Sequence, residues 1–293
     1  MSTEKTNSEA LCALENGDFA LAQKLLRENI KTGDHRAINN LGIFYIENGM
    51  IRKDGKNISA VSYGIKYIKQ AYKSNKSELV LLNMAMISAQ FDGDYKKAAE
   101  LYALAYDLGK NKDALYNLCA CFYMISDYDS VLSRMKISDA SKQDEFLLYG
   151  FALLAVDPER FSHWMEKCDL NCRDIENDDA IQLLYFSQKN QITLSRIYNY
   201  LDEWHPDEYM WAMVIDLLDE YRVSHAEIEN IIKQNTDGIF NGSATRKAAF
   251  DFLNDPLNRK KFIASESKHH FVPPLRHTCG YFGCPAHQTR WAQ

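Results

Sequence analysis

The most chemically pointed residues stand near the C-terminal end, where residues 269–287 read HHFVPPLRHTCGYFGCPAH. His277-x-Cys279 and Cys284-x-x-His287 bracket Gly280-Tyr281-Phe282-Gly283. Two thiolates and two imidazoles make a donor set that suits one tetrahedral zinc ion. The glycines allow a tight turn, and metal binding would supply folding free energy to so short a segment. His269 or His270 is an alternative to His277 as a ligand. The four residues between the two ligand pairs are far fewer than in an ordinary zinc finger. Two other readings therefore stand beside zinc. One is a Cys279–Cys284 disulfide or a pair of free thiols. The other is a linear segment that binds a partner or is itself modified.

The rest of the chain offers no comparable constellation. It contains no glycine-rich phosphate loop and no Gly-x-Ser-x-Gly. Acidic pairs such as Asp178-Asp179 and Asp207-Glu208 fall at expected helix starts, where the helix dipole favours negative charge. Cys119 and Cys121, two apart on a helix, point away from each other and cannot share a ligand. Cys168 and Cys172 share a face, but idle thiols suffice to explain them in a reducing compartment. The expectation is a protein that is not an enzyme.

The elements that must carry these residues are helices. Of 293 residues, 46% are hydrophobic and 25% charged, a globular balance. No proline precedes Pro158, which suits uninterrupted helices, since an interior proline costs about 3 kcal/mol. Apolar residues recur at helical spacing: Leu21, Leu25, Leu26 and Ile30; Ile65, Ile68, Ala71 and Tyr72; Leu101, Leu104, Ala105 and Leu108. Turn pairs break the pattern at Gly17-Asp18, Gly33-Asp34, Asp54-Gly55 and Gly93-Asp94. Thr6-x-x-Glu9 and Ser224-x-x-Glu227 match the capping box, and Asp157-Pro158 places a capping Asp before a first-turn proline. Beyond residue 126 the spacing predicts helices near 142–155, 158–168, 177–188, 191–204, 207–220, 224–234 and 243–254.

Charge and composition shift near Asp255-Pro256. Residues 257–293 hold six basic side chains and one acidic one, net +5, so the chain's net charge of −6 leaves −11 on the residues before them. An acidic body does not attract a phosphate backbone, which makes nucleic acid an unlikely partner. No apolar run reaches the roughly 18 residues of a membrane span, and the polar start lacks the apolar stretch of a secretory signal. The expectation is a cytoplasmic protein without membrane insertion.

Segments of the body resemble one another. Gly17-Asp18-Phe19 opens a block through Ala22, Leu25, Gly33, Ala37, Asn40-Leu41-Gly42 and Tyr45. Gly93-Asp94-Tyr95 opens a second through Ala98, Leu101, Gly109, Ala114, Asn117-Leu118-Cys119 and Phe122. Asn83-Met84-Ala85 fills the same slot between them. This pattern resembles the tetratricopeptide repeat and, over Ala37–Ala71, its longer Sel-one-like variant. The resemblance is clearest for residues 8–125. It implies an all-α fold, an antiparallel helix-hairpin solenoid, with repeats over 1–137. Unchanged helix lengths and turn spacings extend the solenoid as degenerate helical repeats over 138–255, with a separate helical bundle as the alternative, and the composition shift sets off a basic Cys/His tail over 256–293. The small residues Gly42, Ala85 and Cys119 would let helices approach closely.

The resemblance also implies a role. Stacked hairpins present a face lined by the first helix of each pair, and such faces bind extended or helical peptides. Asn40, Asn83 and Asn117 recur at one position on that face, and an amide both donates and accepts toward a peptide backbone. Repeat stabilisation is the competing reading of these asparagines. Tyr45 and Tyr116 would add aromatic anchors, unless they are simply core. The expected function is a scaffold for a protein or peptide partner. The alternative is a zinc- or redox-responsive module built on the tail.

Overall fold

The computed structural model describes residues 3–48, 50–53, 56–137, 142–167, 178–187, 192–203, 205–237, 242–266, 271–276 and 280–282. They form two compact units. The first comprises residues 1–127 together with 274–293, and the second residues 128–273.

In the first unit the described helices are α1 (Thr3–Glu15), α2 (Phe19–Asn29), α3 (His35–Asn48), α4 (Val61–Ser74), α5 (Glu78–Gln90), α6 (Tyr95–Gly109) and α7 (Lys112–Met124). Each packs on the next in sequence, the arrangement that short turns enforce on antiparallel neighbours. Local chemistry sets the turns. Gly17 and Gly93 take left-handed φ of +75° and +66°. The aspartate after each then caps the following helix, Asp18 accepting from the Leu21 amide and Asp94 from the Lys97 amide, both at 3.0 Å. The same turn recurs in two blocks because the same three residue types recur.

The closest helix contact is between α3 and α4. A Cβ on Gly64 would sit 2.5 Å from the Gly42 carbonyl oxygen, and one on Gly42 would sit 2.7 Å from Ile68. Ala85 and Cys119 at the equivalent positions are fully buried. Leu41, Phe44, Leu26 and Ala22 close one cluster, and Leu82, Ala85, Leu101, Tyr102 and Leu118 a larger one.

Some sequence expectations need correction. α1 begins at Thr3, so Thr6 lies within the helix rather than at its cap. On α6 the buried stripe is Ala98, Leu101, Tyr102 and Ala105, while Leu104 and Leu108 are 51% and 63% exposed. The four expected positions thus divide, Leu101 and Ala105 facing inward and Leu104 and Leu108 outward. A two-stranded antiparallel hairpin, β1 (Met50–Lys53) and β2 (Lys56–Ser59), is inserted between α3 and α4, with Ile51 opposite Ile58 and Lys53 opposite Lys56.

The second unit contains α8 (Tyr128–Arg134), α9 (Gln143–Val156), α10 (Pro158–Glu166), α11 (Asp178–Ser187), α12 (Leu194–Glu203), α13 (Glu208–Glu220), α14 (His225–Thr236), α15 (Gly242–Asn254) and α16 (Pro256–Glu266). Asp157 and Ser224 cap as expected, accepting from the Arg160 and Glu227 amides. α13 is its central helix: all residues from Tyr209 to Leu218 are buried, and α11, α15 and α16 pack around it. The one charge in that run, Asp216, accepts from Arg259 at 3.2 Å and from the Tyr185 hydroxyl at 2.7 Å. Arg259, on α16, is itself 2% exposed and also pairs with Asp219. Residues 256–266, expected within the tail, are thus a helix whose arginine completes this core. No described helix is long and apolar enough to cross a membrane.

Candidate functional site: a peptide seat on the first helices

Three helices of the first unit, α3, α5 and α7, carry the recurrent asparagines. Asn40, Asn83 and Asn117 are 0%, 1% and 0% exposed. A buried amide needs partners, because leaving one unmet costs about 1–3 kcal/mol. The chain's own C-terminal segment provides them.

The contacts are directed at backbone. Asn117 accepts from the Arg276 amide at 2.7 Å and donates through Nδ2 to the Arg276 carbonyl at 3.0 Å. Asn40 makes the same two bonds to Phe282, accepting at 2.8 Å and donating at 3.1 Å. Between them, the Gly280 carbonyl accepts from both Asn39 at 2.7 Å and Asn83 at 2.9 Å. Asn83 also donates to Asn39 Oδ1 at 2.8 Å, which fixes the two amides relative to each other. The segment therefore runs from α7 back to α3, opposite to the order of the repeats.

Side chains of the segment fill three further positions. The Arg276 guanidinium lies 4.0 Å from the Tyr116 ring centroid and 3.1 Å from Asp113 Oδ1, and its side chain is 11% exposed. A cation over an aromatic face contributes about 0.5–2 kcal/mol, more as water is excluded. Gly280 is buried; a Cβ there would fall 2.7 Å from Ile43 and 2.8 Å from Asn83 Oδ1. Phe282 meets the His35 ring edge-on at 5.7 Å and packs against the cluster of Ile38, Ala71 and Val80. Leu275 and Tyr281 pack on the larger clusters of the unit.

The energetics of this seat are balanced. The six amide–backbone bonds contribute about 1 kcal/mol net each. Ordering the six described residues of the segment costs about 1–2 kcal/mol apiece. Hydrogen bonding thus offsets at most the lower end of that cost, and burial of Leu275, Tyr281 and Phe282 must supply the rest for the segment to dock.

The aromatic anchors divide. Tyr116 forms the floor beneath Arg276. Tyr45 is 3% exposed, stacks on Tyr67 at 5.9 Å, and accepts from Arg27 Nε at 2.9 Å; those are the contacts of a core residue. Asn39, Asp113 and His35 were not singled out by sequence. Asn39 occupies the register of Leu82 and Tyr116, so it lies outside the recurrent column. A polar residue paired with Asn40 inside an apolar helix was the available signal.

The proposed zinc ligands His277, Cys279, Cys284 and His287, like Cys168 and Cys172, lie outside the described residues. Among the described residues no group of three or more His, Cys, Asp or Glu could hold a metal ion. Cys119 and Cys121 are buried. Burial, and secondarily Cys119, pushes the Cys121 thiol up to about 12, which keeps it protonated and unreactive.

No protein-family model matches the chain, and no curated protein matches it. A search of solved structures does find a match: the crystal structure of a tetratricopeptide repeat protein from Parabacteroides merdae. The two share 12% identity and superpose with a TM-score of 0.52 over 86% of this chain and 99% of that one. The fold is a tetratricopeptide-type helical repeat. At this identity the likeness establishes architecture alone. Within it the tetratricopeptide-type first helices α3, α5 and α7 are those that carry the asparagines, and the β1–β2 hairpin is an insertion between two helices of one repeat.

Proposed function

We propose that the protein is a non-enzymatic interaction scaffold that grips an extended peptide or a peptide-like segment of a partner protein on the face formed by α3, α5 and α7. One observation carries this reading: Asn40 and Asn117 each satisfy both the N–H and the C=O of a single residue of the chain's own C-terminal segment, Phe282 and Arg276. Such a pairing reads backbone rather than side chain, so it suits ligands of varied sequence. The tetratricopeptide-type fold supports it, since stacked helix pairs leave extended faces for ligands. The acidic character of the body argues against a nucleic-acid ligand.

The test is binding of an array of ten-residue peptides to the full chain with its own segment weakened by Arg276→Glu and Phe282→Ala, and to the same protein carrying in addition Asn40→Asp, Asn83→Asp and Asn117→Asp. Aspartate preserves shape and acceptor while removing the donors. Binding should fall by at least an order of magnitude for every peptide that the protein with intact asparagines retains. Equal binding by the variant, or no retained peptide at all, overturns the reading.

A further inference from the structure

The six amide bonds are blind to side chains, yet the segment they hold is not arbitrary. Its side chains meet three positions that accept different chemistry. At the α7 end, Asp113 and the Tyr116 ring form a seat for a cation, occupied by Arg276. In the middle, a Cβ would have to displace Ile43 and the hydrogen-bonded amide of Asn83, and the occupant is Gly280. At the α3 end, His35 with Ile38, Ala71 and Val80 receives an aromatic ring, that of Phe282, while Tyr281 packs between the two larger apolar clusters. Sequence separation fixes the order: a cation, glycine four residues later, then two aromatic residues.

We propose that this face recognises that pattern, Arg/Lys-x-x-x-Gly-aromatic-aromatic, in a segment of a partner protein, and that the chain's own residues 274–276 and 280–282 occupy the seat as a displaceable stand-in. The inference deepens the scaffold reading and rests on it. A ligand tethered to its own site acts at an effective concentration on the order of millimolar. Weak or partial matches are therefore excluded, and only a segment that fills all three positions competes. The backbone bonds supply general grip. The glycine seat rejects other residues by collision, and the Asp113–Tyr116 seat rejects acids by charge. Occupation from within also covers Asn39, Asn40, Asn83 and Asn117 while no partner is present.

The experiment uses the full chain and a labelled synthetic peptide of residues 274–283, with serine in place of Cys279. In one form of the protein the tail is weakened by Arg276→Glu and Phe282→Ala, changes that leave every seat residue intact. Fluorescence anisotropy should show at least tenfold tighter binding to this variant than to the unaltered chain. Peptides carrying Gly280→Ala or Arg276→Glu should each bind at least tenfold more weakly. Hydrogen exchange provides the independent readout on the unaltered chain: excess peptide should speed exchange at the Arg276 and Phe282 amides of the protein and leave α13 unchanged.

A scrambled peptide that binds as tightly as the matched one overturns the pattern and leaves the peptide-gripping scaffold standing. Failure of every peptide to bind a variant whose tail amides exchange freely overturns both. A dimer of the unaltered chain that dissociates on weakening the tail assigns the seat to a second copy and overturns occupation in cis.

Discussion

Asn40 shows how much one side chain decides. Its amide closes a ring with the N–H and C=O of Phe282, and aspartate in its place would keep the accepting oxygen while turning a second oxygen toward the carbonyl. Losing that donor in a buried setting costs about 1–3 kcal/mol, or roughly ten- to a hundredfold in the docking equilibrium. Asn40→Asp should therefore raise the exchange rate of the Phe282 amide by that factor and leave helix content unchanged. Glu78 makes an opposite case. Burial raises its carboxyl above the usual range, and Oε1 has no hydrogen-bond partner. A raised carboxyl binds more protons folded than unfolded, so stability falls as pH rises from the unfolded pKa through the folded one. Glu78→Gln should raise the thermal midpoint at neutral pH, and the gain should vanish in the acid range where Glu78 is itself protonated. An unchanged midpoint at both would show the carboxyl to be solvated. Of these residues only Asn40 was legible beforehand, because it recurs with Asn83 and Asn117 in one register. Asn39 and Glu78 have no such echo, and their weight comes from neighbours distant in sequence.

At the scale of elements, what was readable is what is periodic. The helices from α9 to α15 fall within a few residues of the expected spans, since their caps and apolar spacing are local signals. The β1–β2 hairpin escaped because each strand has four residues, too few for alternation to register. α16 escaped for a different reason: Asp255-Pro256 marks a change in composition, and the same pair also starts a helix, as Asp157-Pro158 does. The cost of misreading α16 is Arg259. A cation buried against Asp216 contributes little net stability, but removing one partner strands the other, typically at 3–5 kcal/mol. Arg259→Met should accordingly shift the urea midpoint of the second unit sharply downward. The double variant Arg259→Met/Asp216→Leu should regain much of the loss, because it strands no buried charge: Asp219, the other partner of Arg259, has a side chain 39% exposed. Equal damage in both would mean that the helix packs through its apolar residues alone, with the ion pair incidental.

For the molecule as a whole, the tail seat joins residues remote in sequence: Asn40 and Phe282 are 242 residues apart. No periodicity marks an extended segment that supplies ligands to a distant face, so sequence reading gives the tail chemistry of its own and leaves its destination open. The first unit consequently consists of two stretches of chain separated by the whole of the second. Contacts this remote add loop-closure entropy to their cost and so form after the local hairpins. Truncation after Pro273 isolates their contribution. It removes Leu275, Tyr281 and Phe282, side chains whose full burial would contribute about 1.5–3 kcal/mol each and whose partial burial contributes less. It also opens four asparagines to water, which replaces their lost partners. The first unit should therefore remain folded and lose a few kcal/mol, with faster amide exchange along α3, α5 and α7, while amides of α13 exchange as before. Equal acceleration in α13 would show that the two units unfold as one and that the tail stabilises both.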